Sequence, residues 1–360
     1  MDSKLRAWQW HKQGLDGSLA GQTAAEVLAR TGWARSIGGA APYLTLFARA
    51  GLRRSEIDAA MASVEIHELP AVRGCTYIVP AADYSLALAA GAPFAEDELK
   101  VARKLGVTDK EIAKLRAAVV KALAAGPLDT EALRTKVGNA ARNLGPEGAK
   151  KGLTTTLPVA LGLLQAAGEI RRIPLNGRID QQRYRYATWN CAVNGSFTDL
   201  ARCYFSWIGP APLSDFQTFA GLGVKAAKAA IEPLHLIDIG EGALLLPEDH
   251  EAFVKLQAPG RPQYALVSSL DMLNTRADSD LPGHAILDRG RVIGRWEFDT
   301  ATGTIAWALF SGTADKALEK TIHNMEAFVR DDLGDARSFS LDSPKTRAPR
   351  IEALRKAAGA

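Results

Sequence analysis

The sequence predicts an α+β protein made of tandem winged-helix (helix-turn-helix) units followed by a small C-terminal β-barrel. Three observations lead there. An apolar helical stretch over residues 154–167 runs directly into two strand-like segments joined by Asn176-Gly177, which is the back half of a winged helix. A pattern of helix, Gly-Pro, Leu, capping residue and short helix occurs twice, around Gly126-Pro127 and Gly209-Pro210, about one small domain apart. From Tyr264 onward the apolar period changes from helical to alternating.

Taken in order, residues 23–30, 42–50 and 55–63 place apolar side chains at helical spacing between Gly or Pro breaks. A short strand over 75–79, closed by Pro80, follows them, so residues 1–106 read as a first winged-helix-like domain. The second, 107–190, opens at Thr108 as an N-cap, with Ile112, Leu115, Val119 and Leu123 on one face. Leu128 and Asp129 then start a short helix holding Leu133 and Val137. Thr154 to Thr156 cap the next helix, with Pro158 in its first turn, Leu157, Leu161 and Leu164 on its apolar face, and Gly168 as its stop. In the third unit, 191–258, Gly223 begins a helix carrying Val224, Ala227 and Ile231, and HLIDIGEGALLLP reads as a short hairpin with Asp238 and Glu241. Residues 259–345 are expected to form a small meander or barrel-like domain, with a turn at 288–291, another at 299–303, and a capped amphipathic helix from Asp315 to Leu333. Residues 346–360 are expected to be a frayed basic tail.

The composition excludes more than it assigns. With 47% hydrophobic and 23% charged residues the chain is ordinary globular material, and a net charge of +4 permits a polyanionic partner without requiring one. Cys75, Cys191 and Cys203 have no CxxC spacing and read as free thiols, neither a disulfide framework nor a zinc site. The run 153–167 is too short to span a bilayer and the N-terminus lacks an apolar core, so the expectation is a cytoplasmic protein without membrane, metal or cofactor. No P-loop, dinucleotide fingerprint, GxSxG elbow or SxxK occurs; His67-Glu68 fails the metalloprotease pattern because Ala71 stands where the second His belongs.

Local charge is more informative. Residues 169–186 hold Arg171, Arg172, Arg178, Arg183 and Arg185 against only Glu169 and Asp180. Arginines on a winged-helix hairpin suit phosphate contact, and alternation sets Tyr184 and Tyr186 on the opposite face, which favours backbone binding over intercalation. Lys225 and Lys228, one turn apart in the third unit, are further candidates. The expected partner is double-stranded DNA, bound by a monomer.

With its two Gly-Pro units, RGCTYIVPAADY at 73–84, and LDMLN followed by AILDRGRVIGRW, the chain resembles the AlkZ/YcaQ family of winged-helix DNA-binding proteins over nearly its whole length. That family includes glycosylases that remove alkylated bases and unhook crosslinks. The resemblance implies tandem winged helices and a C-terminal barrel around a duplex-binding surface. It also implies a Gln-x-Gln or Gln-x-Asp motif before the segment matched here by APYLTLFAR, which places the motif on Arg35, Ser36 and Ile37. Neither Arg35 nor Ile37 offers an oxygen to position water or to stabilise a cationic sugar. Tyr77 stands where many relatives carry His and does not titrate near neutrality. Glu65, Glu68 and Asp83 lie nearby and could replace the missing acceptors, although each alone reads as a surface or capping residue. Three readings follow: a duplex-DNA-binding protein without the motif, a DNA glycosylase with an altered site, and a transcription regulator, which would require a palindromic operator and usually a dimer.

Overall fold

The computed structural model describes residues 3–274 and 281–359. The chain opens with α1 (Ser3–Lys12) and α2 (Ala24–Thr31), the latter started by a capping box in which Thr23 and Glu26 satisfy each other's backbone amides. Strand β1 (Ala34–Arg35), helices α3 (Ala41–Ala50) and α4 (Arg54–Ala62), and strands β2 (Ile66–Pro70) and β3 (Thr76–Pro80) follow, with β3 central in an antiparallel sheet of order β1-β3-β2. Strand β2 is absent from the sequence reading, and burial explains why: Ile66, His67, Glu68 and Leu69 are all buried, so no polar alternation marks the strand. The long α5 (Tyr84–Lys104) leads out of this region.

Two segments of matching topology come next. In the first, α6 (Asp109–Leu123) is capped by Thr108 and buries Ile112, Leu115, Val119 and Leu123. Then come β4 (Leu128–Asp129), α7 (Thr130–Val137) capped by Asp129, α8 (Gly145–Lys150), α9 (Leu157–Ala166), β5 (Ile170–Pro174) and β6 (Tyr184–Thr188), with sheet order β4-β6-β5. In the second, α10 (Phe197–Ile208), β7 (Ala211–Pro212), α11 (Leu213–Ala220), α12 (Val224–Ile231), β8 (Ile237–Asp238) and β9 (Ala243–Leu245) give the order β7-β9-β8.

The hairpin of the first segment departs from the two-residue turn expected at Asn176-Gly177. Gly177 does adopt a positive φ of 78°, but the strands are joined by the whole of 175–183. The reason is Ile179, the buried apolar residue of a mostly polar loop, which sits in a core with Tyr43 and Leu44 while Leu175 stays exposed. Its amide donates to the Tyr43 hydroxyl at 3.1 Å, and Arg337 donates to the Asp180 carbonyl at 2.7 Å. The loop is thereby fastened to both ends of the chain.

After α13 (Pro247–Lys255), strands β10 (Tyr264–Val267), β11 (His284–Asp288), β12 (Arg291–Asp299) and β13 (Thr304–Leu309) form an antiparallel meander in sequence order. Of the meander or barrel expected here, the described residues form an open four-stranded meander, with no pairing that closes it into a barrel. Helices cover its faces instead: α14 (Lys316–Phe328) packs with Ile286, Phe298 and Ile305, and α15 (Pro344–Ala358) with Ala306 and Ala308. The expected frayed tail is therefore a docked helix. Its cations find acids: fully buried Arg347 donates to Asp335 at 2.9 Å, Arg350 to Glu297 at 2.6 Å and Asp342 at 2.9 Å, and Arg355 to Asp299 at 2.7 Å. Ile351 and Leu354 supply the apolar contact. No helix among the described residues is long and apolar enough to cross a membrane.

Candidate functional site

The residues matched to the family motif lie on and just after β1. Register pairs Ala34 with Ile78 and Glu68 with Ile78 across the sheet, while Arg35 and Leu69 both pair with Tyr77. Alternation therefore sends Glu68 to one face and Arg35 and Tyr77 to the other. The packing agrees: Ala34, Ile66 and Ile78 belong to one core, Leu69, Tyr77 and Val79 to another. The expected site is thus split by the sheet.

On the first face Glu68 is 2% exposed. Its Oε1 accepts from the Ser36 hydroxyl at 2.7 Å and the Tyr184 hydroxyl at 2.9 Å, whereas Oε2 is buried with no partner. Burial pushes its pKa up to about 7, opposed by those two hydrogen bonds and by the charge of Arg172. The middle residue of the expected motif, Ser36, is the one that touches a carboxyl group. Tyr184 reaches it from β6, so the basic hairpin and the motif position share a side-chain network. Arg172 lies over the Tyr184 ring at 4.6 Å and donates to Gln165 at 3.0 Å. Of the other acids named from the sequence, Glu65 is exposed and Asp83 accepts from the Trp33 indole at 2.9 Å. Ile37 is half-buried, and its carbonyl accepts from the Ser340 amide at 3.0 Å, which docks the C-terminal segment.

The second face is cationic. Arg35 is half-buried and donates from Nη2 to the Cys75 thiol at 3.5 Å, while its Nε is buried and unpartnered. Arg73 lies against the hydroxyl of Tyr77, which is 4% exposed; burial raises that phenol's pKa, and the neighbouring guanidinium groups of Arg73 and Arg35 work against the rise. The Nε of Arg73 is likewise buried without a partner, and its φ of 58° is unusual for a residue with a side chain. An isolated arginine before Gly74 carries no periodic signal, so the sequence marks Arg73 only within the RGCTYIVPAADY string.

Elsewhere the expected contacts separate into free and engaged groups. Arg183 and Arg185 are exposed, on the strand face opposite Tyr186, which is 7% exposed. Arg171 is half-buried with its guanidinium 5.0 Å from the Trp189 ring, and below it His67, buried against Tyr84, has its pKa lowered to about 4 by burial and by the Arg171 charge. Arg178 turns inward: it donates to Asp180 at 3.0 Å and to the Leu333 carbonyl at 3.1 Å, so its guanidinium serves the loop anchor rather than an open surface. Lys225 and Lys228 are exposed on α12. No group of three or more His, Cys, Asp or Glu that could hold a metal is gathered among the described residues, and the three cysteines are free thiols.

The family described as "DNA glycosylase AlkZ-like" matches residues 18–281. Among solved structures, the Streptomyces sahachiroi DNA glycosylase AlkZ is similar with a TM-score of 0.71 at 16% sequence identity, covering 94% of this chain and 98% of that one. No curated protein matches significantly.

Proposed function

The chain belongs to the AlkZ-like DNA glycosylase family, and from that premise we propose that it binds duplex DNA through tandem winged-helix units, chiefly by phosphate contact. The two segments with matching sheet orders are read as winged helices spanning 107–190 and 191–258, after an N-terminal unit over 1–106 and before the sheet-and-helix unit over 259–345. The observation that carries the proposal is the hairpin surface: Arg183 and Arg185 face solvent with no carboxylate in ion-pair range among the described residues, while the tyrosines of the same strand face inward. A DNA-repair role for a monomer acting in the cytoplasm fits the family reading. Fluorescence anisotropy on an unmodified duplex across a salt series tests it; affinity is expected to fall steeply with salt, and absence of binding at low salt refutes the proposal.

Glu68 favours a second reading, a DNA glycosylase with an altered site. Hydrolysis of an N-glycosidic bond needs an oxygen that orients water and stabilises positive charge on the sugar. A carboxyl beside the central motif residue, with one oxygen uncommitted, supplies that chemistry where Arg35 and Ile37 cannot. Release of free base from alkylated duplex by excess protein, lost in Glu68→Gln, is the expected result; no release by the unaltered protein eliminates this reading and leaves DNA binding standing.

A further inference from the structure

We propose that Arg35 and Arg73, together with Tyr77, form a binding site for a backbone phosphodiester beside the first position of the family motif. The inference rests on the duplex-binding reading and assigns it a second point of contact, away from the basic hairpin.

Two guanidinium groups act on Tyr77 here, Arg73 against its hydroxyl and Arg35 from the paired position on the neighbouring strand. Both are half-buried, and neither has a carboxylate within ion-pair range among the described residues. Elsewhere in the same molecule several buried or half-buried arginines are matched to acids, as Arg49 is to Asp271 at 2.8 Å and Arg350 to Glu297 at 2.6 Å, whereas half-buried Arg172 and buried Arg295 donate to the neutral Gln165 and Asn274. A guanidinium group held partly out of water loses hydration, and a bound anion offsets that loss. The neutral partners present do not do so. The Cys75 thiol is a weak acceptor, and the Tyr77 hydroxyl stays protonated. Each arginine also has a buried Nε with nothing to bond, so neither fork is satisfied by the protein alone.

Position adds a second strand of argument. Arg73 is held in the left-handed region, and its stem packs so tightly on Gly221 that a Cβ there would come within 2.8 Å of Arg73 Cγ. A side chain kept at an unfavourable backbone angle by its surroundings is oriented, not merely accommodated. Gly221 closes α11 two residues before Gly223, the N-cap of α12, so Arg73 abuts the turn that leads into the helix carrying exposed Lys225 and Lys228. A guanidinium where the motif has its first acceptor inverts the charge preference of that position, from a developing cation to a standing anion. A phosphodiester fits this planar, bidentate donor chemistry.

The test compares three proteins by anisotropy on unmodified duplex over a salt series: unaltered, Arg35→Ala with Arg73→Ala, and Arg35→Lys with Arg73→Lys, with thermal melts to verify folding. The alanine pair is expected to bind about tenfold more weakly at ~0.1 M salt and to flatten the log–log salt slope by about two, while the lysine pair keeps the slope. A measurement independent of any variant is alkylation of Cys75 in the unaltered protein, read by peptide mass; saturating duplex is expected to slow it about tenfold. Unchanged affinity and slope in the alanine pair, or an unchanged Cys75 rate where that pair does not fold, overturns the inference while duplex binding itself stands. Failure of the unaltered protein to bind DNA removes the parent reading instead.

Discussion

The two hairpins, β5-β6 and β8-β9, occupy the same place in two three-stranded sheets of the same order, yet the molecule treats them differently. The first is long, carries exposed Arg183 and Arg185, and is fastened at four points: Ile179 in the core with Tyr43 and Leu44, Tyr184 on Glu68, Arg178 on the Leu333 carbonyl, and the Asp180 carbonyl under Arg337. The second is short, its acidic residues Asp238 and Glu241 are exposed, and the Asp238 carboxylate accepts from the nearby Gly240 amide at 2.8 Å. Shared topology thus fixes where a hairpin stands, while a few side chains decide whether it is held rigidly and what charge it presents.

The anchoring is the easiest part of this contrast to break. Ile179→Ala is expected to lower stability by about 4 kcal/mol, because it leaves a cavity in a core the loop helps to fill, visible as a fall in the denaturation midpoint. A smaller loss, within about 1 kcal/mol, would mean that the loop is held by its polar contacts alone.

The Glu68 link to the same hairpin gives a pH signature. An acid whose folded pKa is raised stabilises the fold fully below its unfolded value of 4.5, and that contribution fades as pH rises through about 7. Over this window the unaltered protein should lose roughly 3 kcal/mol of stability that Glu68→Gln does not lose, read from denaturant midpoints at pH 4.5 and 7.5. Parallel pH profiles for the two proteins would show that the carboxyl is hydrated and the link to Tyr184 is loose.

The charge contrast gives the smallest effects. Arg183→Ala with Arg185→Ala should weaken duplex binding about tenfold at ~0.1 M salt, whereas Lys225→Ala with Lys228→Ala should cost no more than about threefold. The reverse order in the same titration would move the principal grip to the second hairpin's unit.

How far all this could be read beforehand depended on sequence distance. Signals contained within a few residues were plain: the Thr108 cap, the 112–123 apolar face and the repeated Gly-Pro pattern correspond to α6 and to the two matching sheets. Strand β2 was hidden because burial on both faces erases alternation. The docked C-terminal helix was read as a frayed tail because Asp299, Glu297, Asp335 and Asp342, which neutralise its arginines, lie outside it in sequence. At the candidate site, Arg35, Ser36 and Glu68 were named from the sequence, but not the sheet that sets Arg35 and Glu68 on opposite faces. The bond that gives Glu68 its significance comes from Tyr184, on a hairpin far along the chain. Arg73 had no local mark at all.

The buried Ile179 has a further meaning for how the molecule would meet a duplex. Because the hairpin loop is pinned to α3 on one side and to the segment around Arg337 on the other, the span from Arg183 and Arg185 to Arg35 and Arg73 is set by the fold before any ligand arrives. Such a surface works as a caliper. Little ordering entropy would be lost on contact, and the cost of a poor fit would fall on the DNA, which would have to bend or widen until its phosphates matched the fixed jaws. Duplexes already softened by a lesion or mismatch deform most cheaply, so a rigid gauge of this kind would favour them without reading a single base.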